Sequence, residues 1–185
     1  AEDKIIFGLT SEELNDPNKI NVTIADTNAP LVILFGPPAC GKTMTLVRLT
    51  RYLRREGYII SPIRNFRPSY DTNYIDMCDS FDIMINQNDA ADATSRISFM
   101  LVEVIRNGRR ICQILEAPGE YYFNPQSPND PFPNYVNTII NCNNRKIWVF
   151  MVEPDWRDEV DRRNYVNKIQ KLKVKLRPRD KTIFL

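Results

Sequence analysis

The sequence predicts a three-layer α/β/α fold with a mostly parallel sheet and one antiparallel β-hairpin at its edge. Three observations carry this reading. Leu31-Val32-Ile33-Leu34-Phe35 is an uninterrupted apolar run, the pattern of a parallel strand covered on both faces. Two stretches, 42–56 and 157–176, repeat apolar side chains at helical spacing. Phe99–Ile105 and Ile111–Leu115 flank Asn107-Gly108, and Asn-Gly between β-rich runs is the strongest short-range hairpin signal. At 185 residues the chain is about the size of one domain and can bury a sizeable core.

In chain order, Ile20, Val22 and Ile24 alternate as an edge strand would. After the strand at 31–35, a helix is expected over Lys42–Glu56 on Leu46, Leu49 and Leu53, with Gly57 placed to end it. Tyr58–Ile63 reads as a short extended piece. Residues 64–93 are polar, show few apolar repeats and resist assignment, and a structureless stretch of that length is usually functional or mobile. Beyond the hairpin, the prolines between Pro118 and Pro133 make a stiff loop. A helix near Pro133 carries Val136, Ile139 and Ile140, and Ile147–Val152 is another buried strand, closed by Glu153-Pro154-Asp155. The helix over Arg157–Leu176 places Val166, Ile169, Leu172 and Leu176 on one face, and Lys181–Leu185 begins a further strand.

Composition narrows the function classes. A hydrophobic fraction of 43% and a charged fraction of 26% are those of an ordinary globular chain. A net charge of +2 gives no argument for nucleic acid or a membrane surface. The basic clusters at 48–55 and 168–175 read as solvated helix faces. With no histidine in the chain, mechanisms that need an imidazole base are excluded, and a zinc site would need unusual ligands. Cys40, Cys78, Cys112 and Cys142 form no Cys-x-x-Cys pair and read as free thiols of a reducing compartment. No apolar run approaches the roughly 18–20 residues of a membrane span, so a cytoplasmic location is expected.

One motif carries chemistry. Gly36-Pro37-Pro38-Ala39-Cys40-Gly41-Lys42-Thr43 lies between the first strand and a helix, in the order a phosphate-binding loop needs. Glycines let the backbone wrap closely, and the helix N-terminus adds unpaired N–H donors and partial positive charge. Pro37 and Pro38 have no N–H, so the donors come from Gly36, Ala39, Cys40, Gly41, Lys42, Thr43 and Met44. Lys42 reaches the β- and γ-phosphates, and the Thr43 hydroxyl is placed for a magnesium ion.

A hairpin between that helix and the acidic strand end at Glu116, followed by Gly119, resembles the order of Ras-like and Arf-like GTPases within the translation-factor class of P-loop proteins. The similarity covers about Leu31 to Leu185. It implies a P-loop nucleoside triphosphatase fold that binds GTP or GDP with Mg²⁺. Glu116-Ala117-Pro118-Gly119 then stands where the family has Asp-x-x-Gly, with Glu116 on the metal and Gly119 donating its N–H to the γ-phosphate. The family's closing threonine would be Thr94, with Thr72 and Ser95 as competitors. Its water-orienting glutamine is replaced by Glu120, a carboxylate beside phosphate charge, which implies hydrolysis on the order of 10⁻⁴ per second.

The base-reading Asn-Lys-x-Asp is matched only superficially by Asn167-Lys168-Ile169-Gln170, inside a helix. Its proper place falls after the strand that begins near Lys181, so the resemblance leaves the fold without its last strand and helices. Two other readings stay open. One is an ATP-binding protein of the ATPase or kinase branch, using Glu116 or Glu153. The other is a non-catalytic nucleotide-binding interaction module. The segments 64–93 and 121–133 flank the predicted γ-phosphate site. They are the expected protein-partner surface, with Tyr121, Tyr122 and Phe123 as anchors or as packing beneath the loop.

Overall fold

A computed structural model describes residues 9–37, 40–86, 99–117, 129–152 and 158–185. Their strands are β1 (Leu31–Phe35), β2 (Ile59–Pro62), β3 (Met100–Arg106), β4 (Arg109–Glu116), β5 (Lys146–Phe150) and β6 (Lys181–Phe184). Their helices are α1 (Ser11–Asn15), α2 (Lys42–Arg55), α3 (Thr72–Asn86), α4 (Asn134–Asn141) and α5 (Glu159–Lys173). The fold is α/β, built on one six-stranded mixed sheet of order β2-β3-β4-β1-β5-β6.

β1 lies inside the sheet, parallel to β4 on one side and β5 on the other. Leu31, Ile33, Leu34 and Phe35 are all buried, as a strand covered on both faces requires. Phe35 meets Trp148 and Phe150 edge to face, at centroid distances of 5.9 and 5.5 Å. The hairpin turns at Asn107 (φ 52°) and Gly108 (φ 72°), the paired positive φ of a type I′ turn. It is not the sheet's edge, however. β2 pairs antiparallel with β3 outside it, so the sheet has three parallel and two antiparallel pairings.

α2 ends as its glycine predicts. Gly57 N–H donates to the Arg54 carbonyl and Tyr58 N–H to the Leu53 carbonyl, the two bonds of a Schellman cap. The α3 helix corrects the reading of 64–93 as unassigned. Tyr74, Met77, Cys78, Phe81, Met84 and Ile85 are buried at three- and four-residue spacing. Met, Cys and Tyr make up two thirds of that stripe, which hides its period from a search for Leu, Ile and Val. Ile20, Val22 and Ile24 do alternate inward, but the segment forms no ladder. Thr23 N–H instead donates to the Phe66 carbonyl at 2.8 Å.

The buried face of α5 also differs from expectation. Val166 is 44% exposed, while Tyr165, Lys168 and Leu172 are buried. Lys168 is therefore not part of a solvated face. Its ammonium donates to the Asp130 carbonyl at 2.7 Å and lies over the Phe132 ring. In α2, Arg51 and Arg54 likewise donate to the Met84 and Ile85 carbonyls at the end of α3, where cations complement the helix dipole.

The turn before β1 fixes where that strand enters the sheet. Asp26 Oδ1 accepts from the Asn28 and Ala29 amides at 2.8 and 3.1 Å, and Oδ2 accepts from Arg110 at 2.9 Å. The Asp26 carbonyl accepts from Gln113 of β4 and from Asn144, just before β5. The Ala29 amide, then the Asn28 amide and Arg110, hold the Asp26 carboxyl below its ordinary value against the opposing effect of burial. A depressed folded-state pKa stabilises the fold above the unfolded value, about 3.9. That stabilisation is lost as pH falls through the folded value. Asp26→Asn is therefore expected to unfold at lower urea concentration than wild type at pH 7. The difference should begin to shrink below about pH 4 and close only below the lowered folded-state value, as urea titrations across pH will show.

Candidate functional site

The loop after β1 turns tightly. A Cβ on Gly36 would come 2.6 Å from Cys40 Sγ and 2.9 Å from Met151 Cβ, so a side chain there would collide with the loop's own return and with the end of β5. Gly41, at φ 88°, is the N-cap of α2, and no side chain caps that helix. The backbone donors of its first turn are thus left to the loop and to whatever the loop holds. Lys42 is 6% exposed. Its ammonium folds back to donate to the Gly36 carbonyl at 3.0 Å and the Pro37 carbonyl at 2.7 Å, with Cys40 Sγ 3.8 Å away. Thr43 is half-buried beside it, and Met44 is 39% exposed on the outer side of the turn.

Tyr165 of α5 closes the floor below the loop. Its hydroxyl donates to the Met151 carbonyl at 2.6 Å, with the Phe35 carbonyl 3.3 Å away, and its ring stacks on Phe35. Burial, and then the neighbouring Cys40 thiol, push the Tyr165 hydroxyl well above its ordinary range. That keeps it a neutral donor.

Sheet register brings the predicted acidic strand end to the same place. Glu116 is the last residue of β4 and sits opposite Leu34 of β1 and Met100 of β3. The carboxylate is 3% exposed. Its Oε2 accepts from the Phe99 amide at 3.0 Å. Phe99 has φ 65° and is completely buried, a left-handed conformation that is a genuine outlier for a bulky residue. Sequence reasoning missed this contact. Nothing in the run Ser98-Phe99-Met100 marks a left-handed position, and propensity rules would reject one there.

The chain thus gathers Gly36, Cys40, Gly41, Lys42, Thr43 and Glu116 at the C-terminal ends of β1 and β4. Thr72 is exposed at the start of α3, beside Asp71 of a separate buried cluster. Ala39, Thr94, Ser95, Gly119, Glu120 and the aromatic residues 121–123 lie outside the described residues. Within the partner surface expected at 64–93, Phe66, Tyr74 and Phe81 are core, while Tyr70 and Ile83 are exposed. Asn167 and Lys168 lie inside α5 with Lys168 buried, so the superficial base-reading match stays rejected. An open cleft of about 650 Å³ near α1, lined in part by Glu13, Lys19, Asn21 and Tyr70, shares no residue with the loop.

The donor set suits a magnesium ion held partly by substrate. Mg²⁺ prefers hard oxygens and is usually held by one or two protein groups together with phosphate and water. A hydroxyl at Thr43 and a buried carboxylate at Glu116 match that pattern. Among the described residues no group of three or more Asp, Glu, Cys or His side chains forms a protein-only metal cage, and no helix is long and apolar enough to cross a membrane. No family model, curated protein or solved structure matches the chain.

Proposed function

We propose that the chain binds the phosphates of a nucleoside triphosphate within the three-layer fold of P-loop proteins, in the arrangement of a Ras-like or Arf-like GTP-binding switch. The observation that carries the reading is Lys42, a buried ammonium folded onto the Gly36 and Pro37 carbonyls at the mouth of a helix with no side-chain cap. A phosphate chain entering the loop offers that ammonium stronger, charged acceptors than two carbonyls. The N-terminal amides of α2 then donate to the same anion. Cys40, Gly41 and Met44 contribute backbone rather than side-chain chemistry, and Tyr165 holds the floor in place. Thr43 and Glu116 would hold the magnesium ion, which when bound neutralises phosphate charge. β4, which ends at Glu116, is a parallel neighbour of β1 but is entered through the antiparallel strand β3. That hairpin entry favours the GTPase arrangement over the kinase and motor branches, whose sheets are usually built of βα units.

A thermal-shift panel of ATP, ADP, GTP and GDP with magnesium tests this. Ligand at about a hundred times its dissociation constant stabilises by about 2.7 kcal/mol, roughly 5–10 °C at this size. A guanine-selective shift is the expected result. An adenine-selective shift would assign the chain to an ATP-binding branch, and no shift with any of the four would end the nucleotide reading.

A further inference from the structure

The contact between Glu116 and Phe99 joins the loop to the hydrophobic core. Phe99 packs on Phe66 at 5.4 Å and on Tyr135 at 5.3 Å, and the Arg67 guanidinium lies over its ring at 5.6 Å. Arg67 in turn binds Glu13 and Asp71, and Glu13 lines the open cleft that Tyr70 also borders. One carboxylate at the loop therefore holds, through one strained residue, the aromatic group that supports a surface formed by other elements.

We propose that Glu116 is a two-position latch, holding the Phe99 amide in its left-handed turn when the loop is empty and releasing it when magnesium and a triphosphate occupy the loop. The inference rests on the nucleotide-binding reading above. Three features support it. The carboxylate is buried, so its charge is shared only among near neighbours. The Phe99 conformation is costly for a residue with a side chain, so it persists only while something holds it. A divalent cation's hydration shell competes for the carboxylate that makes that bond. Glutamate in place of the aspartate of the resembled family gives the side chain one more methylene with which to reach the amide. By linkage, whatever holds the Phe99 turn closed also opposes metal binding. Occupancy of the loop is thereby read at Phe66, Tyr135 and Arg67 without direct contact between the two surfaces.

The test follows one amide. Labelling serine carbonyl carbon and phenylalanine nitrogen leaves two signals, Phe81 and Phe99, because only these follow serine. In the nucleotide-free chain the Phe99 amide is expected downfield and protected from exchange. Glu116→Ala should move it upfield, whereas Glu116→Gln, which keeps a side-chain oxygen acceptor, should leave it nearly in place. Adding GTP or ATP (whichever raises the melting temperature) with magnesium is expected to move Phe99 upfield and speed its exchange at least tenfold, while Phe81 stays. The same nucleotide in EDTA should leave Phe99 unmoved. A bound magnesium–nucleotide complex with Phe99 still protected would mean that the carboxylate serves amide and metal together, which overturns the latch but not the nucleotide site. If no nucleotide raises the melting temperature, both fall.

Discussion

Lys42→Ala is expected to abolish the nucleotide-dependent thermal shift altogether and to lower the melting temperature of the nucleotide-free chain as well. The first effect follows from charge. The ammonium is the one cation that the Gly36–Thr43 motif itself supplies, and it is already buried at the mouth of α2. The second follows from the two carbonyls that Lys42 holds. Removing the side chain leaves the Gly36 and Pro37 carbonyls without the donor they have now. Losing a charge-assisted bond to a buried group costs about 1–3 kcal/mol, and each kcal/mol is worth about 2–4 °C at this size. Lys42→Arg should restore part of the second effect but little of the first, since a planar fork does not fit a site shaped for a compact ammonium. A scan with each nucleotide reads both effects at once. A wild-type nucleotide shift in Lys42→Ala would remove Lys42 from the site.

The largest loss of stability is expected outside the loop, at Arg67→Met. The Arg67 side chain is wholly buried and donates to Glu13 of α1, the Asn21 carbonyl, and Asp71 ahead of α3. Asp71 also accepts from the Tyr74 amide at 3.0 Å, as an N-cap does. Glu13 also accepts from the Thr10 amide in the capping box of α1. One guanidinium thus fastens α1 and the segment at Asn21 to the start of α3, some 50 residues further along the chain. Removing it strands two buried carboxylates. Breaking a buried ion pair from one side costs about 3–5 kcal/mol, a fall of roughly 6–20 °C. Because the penalty lies in the stranded charges, Arg67→Met combined with Glu13→Gln and Asp71→Asn should recover much of the loss. Urea denaturation of the single and triple variants decides the matter. A single variant within 1 kcal/mol of wild type would show that water reaches the carboxylates.

Features fixed by local chemistry were readable before the fold was known. The run at β1, the Asn107-Gly108 turn, the Gly57 cap and the motif ending in Lys42-Thr43 each depend on a few adjacent residues, and each appears where the sequence places it. Features that depend on distant partners were not. The α3 stripe was concealed by Tyr, Met and Cys. The apolar spacing assigns Val166 to the buried face of α5, whereas Lys168 is buried there by bonding to a carbonyl 38 residues away. The reach of β2 outside the hairpin follows from pairing between residues some 40 positions apart. At the site the same division holds. The motif residues 36–43 are contiguous, whereas the Glu116–Phe99 contact spans 17 residues and needs a backbone conformation that no side-chain preference announces.

β6 gives the sheet a second character on its far side. Among the described residues no strand pairs beyond it, and Ile183, Phe184 and Leu185 are 49%, 64% and 59% exposed. Its single lysine, Lys181, stands at the strand's start, so the apolar end lacks the charge or proline that commonly blunts such an edge. An edge of this kind is adhesive: it presents open backbone donors and acceptors alongside greasy side chains to any extended peptide that drifts past. Wherever this border is left uncovered, self-association at high concentration is expected to start there rather than at the nearly balanced charges of the rest of the surface.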